Sequence, residues 1–259
     1  MTTLITREPA QDLQGYETTF VAAQSIHLDA AARQHQAYRD TLASSGIEVI
    51  ALPAQPGLPD SLFVEDVVLA LPECVVLTRP GAASRQAEVA LFAADLARHG
   101  LFDGRPVHVL QAPATLEGGD VLRLGRTLYV GLSSRTNAAG VAQLRDWLAP
   151  MGYTVQAVPV MGCLHLKTGV TALDEHTVLA QPDWVDLSAM PGLTVLHAAP
   201  GEPWAANVLK IGPRLFMNAA SPRTAETLRA RGHAVQSIDI GEFMKMEAGL
   251  TCMHVLWRD

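Results

Sequence analysis

Cysteine is scarce: Cys74, Cys163 and Cys252 are the only three in 259 residues. So few, so widely spaced, do not make a disulfide framework in a chain of this size. No C-x-x-C or H-E-x-x-H occurs, so the common zinc signatures are missing and no metal is expected. Long apolar runs are missing as well. None approaches the roughly 18 residues of a membrane span. The opening stretch, Met1 to Pro9, has no apolar signal core. Basic runs are absent and the formal net charge is −7. That argues against a nucleic-acid partner and suits a cationic small molecule. With 49% apolar and 17% charged residues, the composition is that of an ordinary globular chain. A reducing, cytoplasmic setting is the expectation.

What is present is an internal repeat. A helix-like segment ends at a glycine, and a strand begins three residues later at a valine. This happens at Gly46/Val49, Gly104/Val107, Gly152/Val155, Gly192/Val195 and Gly232/Val235. Glycine there takes the left-handed conformation that closes a helix without a Cβ penalty. The preceding segments carry apolar residues at three- and four-residue spacing, predicting helices over 31–45, 84–99, 136–148 and 222–231. A fifth and shorter helix, fourth in chain order, falls over 183–190. Short strand pairs lie between: 63–71 with 74–78, 121–124 with 127–132, 170–173 with 177–180, and 208–211 with 214–218. Each unit reads strand, strand, helix, strand. Five such units, none able to bury its own apolar face, pack round a pseudo-fivefold axis. No linker or domain boundary interrupts residues 1–259, so one domain is expected. Residues 11–25 lack periodicity and read as a lid or an exposed loop, with the loop favoured.

The repeat also serves as a ruler. With the valine strands taken as the inner ones, polar residues follow ten to seventeen positions later in each unit. Val49 leads to Asp60 and Asp66, Val107 to Glu117, Val155 to His165, Val195 to Asn207, and Val235 to Cys252. Equivalent loops of a repeat gather on one face, so cysteine, histidine and carboxylates converge from different units. Singly, each has a plainer reading. Cys252 is the size and polarity of a core residue, Leu116-Glu117-Gly118-Gly119-Asp120 is a turn, and His165 between leucines is a packed core histidine. Asp60, Glu65 and Asp66 are loop charges. Arg85 and Arg135 open helices, where a cation opposes the dipole, which points to an anion partner. Gly249 allows a sharp turn ahead of Cys252, and the apolar run after it closes a sheet. Cys74 and Cys163 are assigned to packing.

Taken together, several stretches resemble the dimethylarginine dimethylaminohydrolase family. They are Arg33 to Tyr38, Leu58 to Asp66, Thr78 to Gly81, Leu116 to Val121, Ser134 to Asn137, Leu164 to Lys167, Ala205 to Asn207 and Leu250 to Cys252. The likeness runs from about residue 30 to the end. It implies the pentein fold, an α/β five-bladed pseudo-symmetric propeller of ββαβ units. It implies Cys252 as nucleophile and His165 as general acid and base. Glu117 and Asp66 would hold the guanidinium, Arg85 and Arg135 the substrate carboxylate, and Asp60 the α-amino group, with Phe63 packing on the substrate. The implied reaction is hydrolysis of methylated arginine to citrulline without a cofactor. A homodimer is compatible with the family. Two departures stand out: Glu247-Ala248 where the family has Asp-Gly, and Cys163 where it has glycine. Glu247 is the carboxylate able to reach in and favour unmethylated arginine, and Leu164, Leu166 and Leu250 offer apolar room for methyl groups. Arginine deimination, amidino transfer and a non-catalytic propeller are the competing readings.

Overall fold

The computed structural model describes residues 2–102 and 104–258. The chain opens with β1 (Thr2–Arg7), α1 (Leu28–Ala43) and β2 (Glu48–Leu52). The next unit is β3 (Val68–Ala70), β4 (Val75–Leu77), α2 (Gln86–Arg98) and β5 (Val107–Val109). Then follow β6 (Val121–Leu124), β7 (Thr127–Leu132), α3 (Ala138–Leu148) and β8 (Thr154–Pro159). A single turn, α4 (Leu166–Gly169), leads into β9 (Val170–Ala172), β10 (Thr177–Ala180) and β11 (Thr194–His197). Last come β12 (Val208–Ile211), β13 (Arg214–Asn218), α5 (Pro222–Ala230), β14 (Ala234–Ile238), the turn α6 (Gly241–Met244) and β15 (Val255–Arg258).

These strands form five three-stranded sheets, ordered β3-β4-β5, β6-β7-β8, β9-β10-β11, β12-β13-β14 and β15-β1-β2. In each, the first two strands are antiparallel and the last two parallel, with Val75 beside Val107 and Thr127 beside Thr154. A parallel pair needs a crossover: α1, α2, α3 and α5 supply four of the five, and an irregular segment with one 3-10 turn joins β10 to β11. The last sheet joins the two ends of the chain: Leu4 pairs with both Leu256 and Val49. All five junction glycines have positive φ: 81°, 68°, 80°, 82° and 89° at Gly46, Gly104, Gly152, Gly192 and Gly232. Helices pack on the sheets through their apolar faces. Val141, Leu144 and Leu148 of α3 meet Val121, Leu128, Val130 and Val155 in one buried cluster.

Three expectations are corrected. The valine strands β2, β5, β8, β11 and β14 lie at the outer edges. The inner strands are β3, β6, β9, β12 and β15, which line an axial cavity of about 500 Å³. The helix expected over 183–190 is reduced to a 3-10 turn, Leu187–Ala189, because Val185 is drawn into a β-bridge with Val160. The strand expected from Phe63 starts at Val68, after 3-10 turns at Pro59–Leu62 and Val64–Val67. A strand would point Glu65 and Asp66 to opposite faces; the turn buries both.

Candidate active site

The residues singled out lie just ahead of the inner strands: Asp60, Phe63 and Asp66 before β3, Glu117 before β6, His165 before β9, and Cys252 before β15. Chain entry at the same end of each unit is what brings them together. Asp60, Phe63, Asp66, Arg85, Glu117, Arg135, His165 and Cys252 all line one cavity, with Glu17, Leu164, Met246, Glu247 and Ala248 completing the wall. Asn207 lies behind it. Its amide donates to the Lys167 carbonyl and to Thr251 Oγ1, and its Oδ1 accepts from the Thr251 N–H at 3.2 Å. Gly249, expected to allow a sharp turn, has no positive φ and is explained by this approach. A Cβ there would sit 2.4 Å from the Asn207 side chain.

His165 is buried between carboxylates. Its Nε2–H donates to Glu117 Oε2 at 2.6 Å, and Nδ1 lies 3.9 Å from Asp66 Oδ1. Burial lowers the imidazole pKa, but the charges of Asp66, Glu117 and Asp120 and the Glu117 hydrogen bond together raise it to about 9. Glu117 moves oppositely. Burial raises it, yet the bond to His165 and the charges of His165, Arg85 and Arg135 bring it down to about 2. The two shifts describe one ion pair. Glu117 Oε1 also accepts the Gly81 N–H. The Gly118-Gly119 pair is what admits this packing. A Cβ on Gly118 would lie 1.9 Å from the Glu65 carbonyl, and one on Gly119 2.5 Å from His165 Nδ1 and 2.8 Å from Asp66 Oδ1.

Asp66 accepts from the Gly119 N–H and, at 2.6 Å, from Arg85 Nη1. Arg85 also donates to Glu88 and to the carbonyls of Asp60 and Phe63. The anion partners its position called for are therefore internal, and Glu88 at i+3 was the readable sign. Arg135, among the described residues, gives one side-chain hydrogen bond, from Nη2 to Thr19 Oγ1 at 3.3 Å. Asp60 accepts the Glu17 N–H, and its burial outweighs Arg85 and Arg135 to raise its pKa to about 6. Each of these carboxylates keeps a free lone pair.

Cys252 occupies the 3-10 turn Thr251–Met253 and is 8% exposed. Its Sγ accepts the Gly249 N–H at 3.4 Å. Burial and the charges of Glu65 and Asp66 push the thiol pKa well up, partly offset by that N–H and by Lys167. Around the turn, Glu65 accepts from Lys167 Nζ at 2.5 Å and from Thr251 Oγ1 at 2.9 Å. Glu65, read as a loop charge, is thus a buried support. Cys74 and Cys163 are buried with raised pKa values of about 11 and about 12, as packing residues. Of the three leucines expected near the methyl groups, Leu164 lines the cavity, while Leu166 and Leu250 belong to core clusters. Phe63, Met246 and Ala248 supply the remaining apolar wall.

Asp66, Glu117 and His165 bring three ligand-type atoms within 4.8 Å of one another. Such acceptors suit a cation. All three already engage hydrogen-bond donors or one another, with Arg85 on Asp66, so a bare metal ion would have to break these bonds. A guanidinium brings its own N–H donors to the remaining lone pairs.

The arginine deiminase family model matches residues 54–201. An N(G),N(G)-dimethylarginine dimethylaminohydrolase from Streptomyces coelicolor is 41% identical over 98% of this chain and 96% of its own length. One from Pseudomonas aeruginosa is 33% identical over 97% and 98%. Among solved structures, a cysteine-to-serine mutant of the Pseudomonas aeruginosa enzyme complexed with citrulline superposes with a TM-score of 0.89 at 32% identity, covering 98% of both chains. A histidine-to-glycine dimethylarginine dimethylaminohydrolase carrying an S-methyl-L-thiocitrulline adduct gives 0.91 at 32% identity, covering 99% of this chain and all of that one. The fold is the five-bladed pentein propeller.

Proposed function

This chain belongs to the dimethylarginine dimethylaminohydrolase family, and on that premise we propose that it hydrolyses Nω-methylated arginine to citrulline and methylamine or dimethylamine. The observation that carries this is the convergence of one thiol, one imidazole and the carboxylates of Asp66 and Glu117 from four units in one buried cavity.

A guanidinium carbon is a poor electrophile because its charge is spread over three nitrogens. Asp66 and Glu117 fix those nitrogens by charge-assisted hydrogen bonds and hold the carbon beside sulfur. The arriving cation offsets the Glu65 and Asp66 charges that keep Cys252 protonated, and so favours thiolate. Sulfur adds to the carbon. His165, an imidazolium at neutral pH, protonates the departing amine, and the C–N bond breaks to leave a thiouronium on Cys252. The neutral imidazole then takes a proton from water, water oxygen adds to the same carbon, and the thiolate leaves as citrulline forms. Arg135, with donors to spare, takes the substrate carboxylate. Arg85 braces Asp66, Asp60 takes the α-amino group, and Phe63 packs on the chain. One catalytic domain, residues 1–259, acts without a cofactor, in the reducing cytoplasm that three free cysteines suit.

Methylated arginine is the preferred substrate. Asymmetric dimethylarginine has no N–H on its leaving nitrogen, so its site needs apolar wall there rather than a further acceptor, and an unpaired buried acceptor costs about 1–3 kcal/mol. Leu164, Met246 and Ala248 provide apolar wall. Hydrolysis of arginine itself is the second reading, favoured by kinship with arginine deiminases. Citrulline release from arginine, monomethylarginine and asymmetric dimethylarginine decides between them, compared as kcat/KM. The methylated substrates are expected to win; arginine ahead by about tenfold, some 1.4 kcal/mol, would make the chain a deiminase.

A further inference from the structure

Glu247 does not reach toward a substrate nitrogen. Its carboxylate accepts three successive backbone N–H groups from the N-terminal segment: Thr19 at 2.5 Å, Phe20 at 2.5 Å and Val21 at 2.9 Å. Successive amides curled round one anion form a nest, the arrangement backbone uses to bind a free anion. Here the anion is a side chain fixed to the far wall of the cavity. Glu247 is 1% exposed and is the only non-glycine residue with positive φ among the described residues, at 59°. Left-handed backbone is unfavourable for glutamate, and its buried side chain is committed to this contact.

The captured segment also reaches the other end of the site. Thr19 Oγ1 accepts from Arg135, the Glu17 N–H donates to Asp60, and Glu17 Oε1 accepts from Ser84. Phe20 meanwhile stands 47% exposed, so apolar burial at the tip does not hold the segment down. Beneath it the cavity measures about 20 Å³, room for about one water. Glu17 of this segment forms part of the cavity wall, so lifting residues 17–21 opens the cavity toward the size of an arginine. The segment read from sequence as an exposed loop is therefore a cover, tied at three points to groups lining the cavity.

We propose that Glu247 is the latch of this cover and a positioning residue for substrate binding: through the Thr19–Val21 amides it holds Glu17 and Thr19 against Asp60 and Arg135. The inference rests on the hydrolase reading for its kinetic part only. Releasing the latch loosens the amino-acid end of the site while Cys252 and His165 stay where they are. The loss therefore falls on KM rather than on kcat, the signature of binding shared by ground and transition states.

The test uses the full chain with E247Q, E247G and E247D. E247G removes the carboxylate and suits the left-handed backbone, so it separates the latch from any strain at that position. Amide hydrogen exchange at Thr19, Phe20 and Val21, measured without substrate, is expected to speed up about tenfold or more in E247Q and E247G. Exchange in β6 and β7 should stay unchanged, and E247D should recover part of the protection. In the same variants KM for asymmetric dimethylarginine is expected to rise about tenfold, with kcat held within about threefold. Unchanged exchange at the three amides in E247Q and E247G would overturn the latch. Faster exchange with KM unmoved, or a loss confined to kcat, would overturn its positioning role. Failure of the wild type to release citrulline from any arginine would sink the hydrolase reading and leave the exchange result standing.

Discussion

Replacing Glu117 by glutamine keeps the shape of the side chain and removes the charge facing His165 Nε2 at 2.6 Å. In the wild type the imidazolium survives to about pH 9 although it is buried, since Asp66, Glu117 and Asp120 surround it. A hydrogen bond to a charged group contributes about 1.5–3 kcal/mol, which is about one to two pKa units at 1.36 kcal/mol each. Glu117→Gln should therefore bring His165 down from about 9 to roughly 7–8. At pH 8 the imidazolium fraction would fall from about nine-tenths to between about one-half and one-tenth. Protonation of the leaving amine needs that imidazolium, so the alkaline limb of kcat/KM should move down by the same one to two units. The His165 ring proton followed by NMR gives the titration directly. Linkage supplies an independent sign. A histidine whose folded pKa lies above its unfolded value stabilises the fold fully below about pH 6.5, and loses that contribution as pH rises through about 9. Wild-type melting temperature should thus decline across that window and the variant's less. An alkaline limb that stays near pH 9 in Glu117→Gln, with His165 titrating as in wild type, would refute the ion pair as the source of the shift.

Two further outcomes follow from the geometry. Asp60, raised to about 6 by burial, loses its charge as pH falls through that value, so KM for methylated arginine should rise below about pH 6; Asp60→Asn should show a high KM that no longer depends on pH in that range. Gly119→Ala would set a Cβ 2.5 Å from His165 Nδ1. Because a misplacement near 1 Å costs about a hundredfold, kcat should drop by about that factor while circular dichroism and the thermal transition report a folded chain.

The repeat was legible because its signal is physical at each occurrence. A glycine with positive φ precedes each outer strand, and a valine stands first or second in it. The cavity residues were legible for the same reason: equivalent turns precede equivalent strands. The inner and outer strands were exchanged because the strands next to the axis, such as β3 and β9, are only three residues long. The longer β8 and β14 carry the stronger pattern. Position 183–190 misled because a long-range bridge, Val185 to Val160, outcompetes local helical spacing. What spacing could not convey is which partner each charge chooses. Glu247 binds backbone amides more than 220 positions away in sequence, Glu65 holds the turn of the nucleophile through Thr251, and Arg85 is committed to Asp66 and Glu88. Those choices depend on burial, which leaves no periodic trace.

Cys252 is expected to form a covalent bond to the guanidinium carbon, and His165 to be needed to resolve it. The direct measurement is mass spectrometry of His165→Gly, quenched in acid after mixing with S-methyl-L-thiocitrulline, whose methanethiolate leaves without a proton from His165, and then digested. A thiouronium mass on the peptide containing Cys252 is predicted, with the Cys74 and Cys163 peptides unmodified and citrulline release stalled. Steady citrulline release by that variant with Cys252 unmodified, or an adduct on another residue, would contradict it.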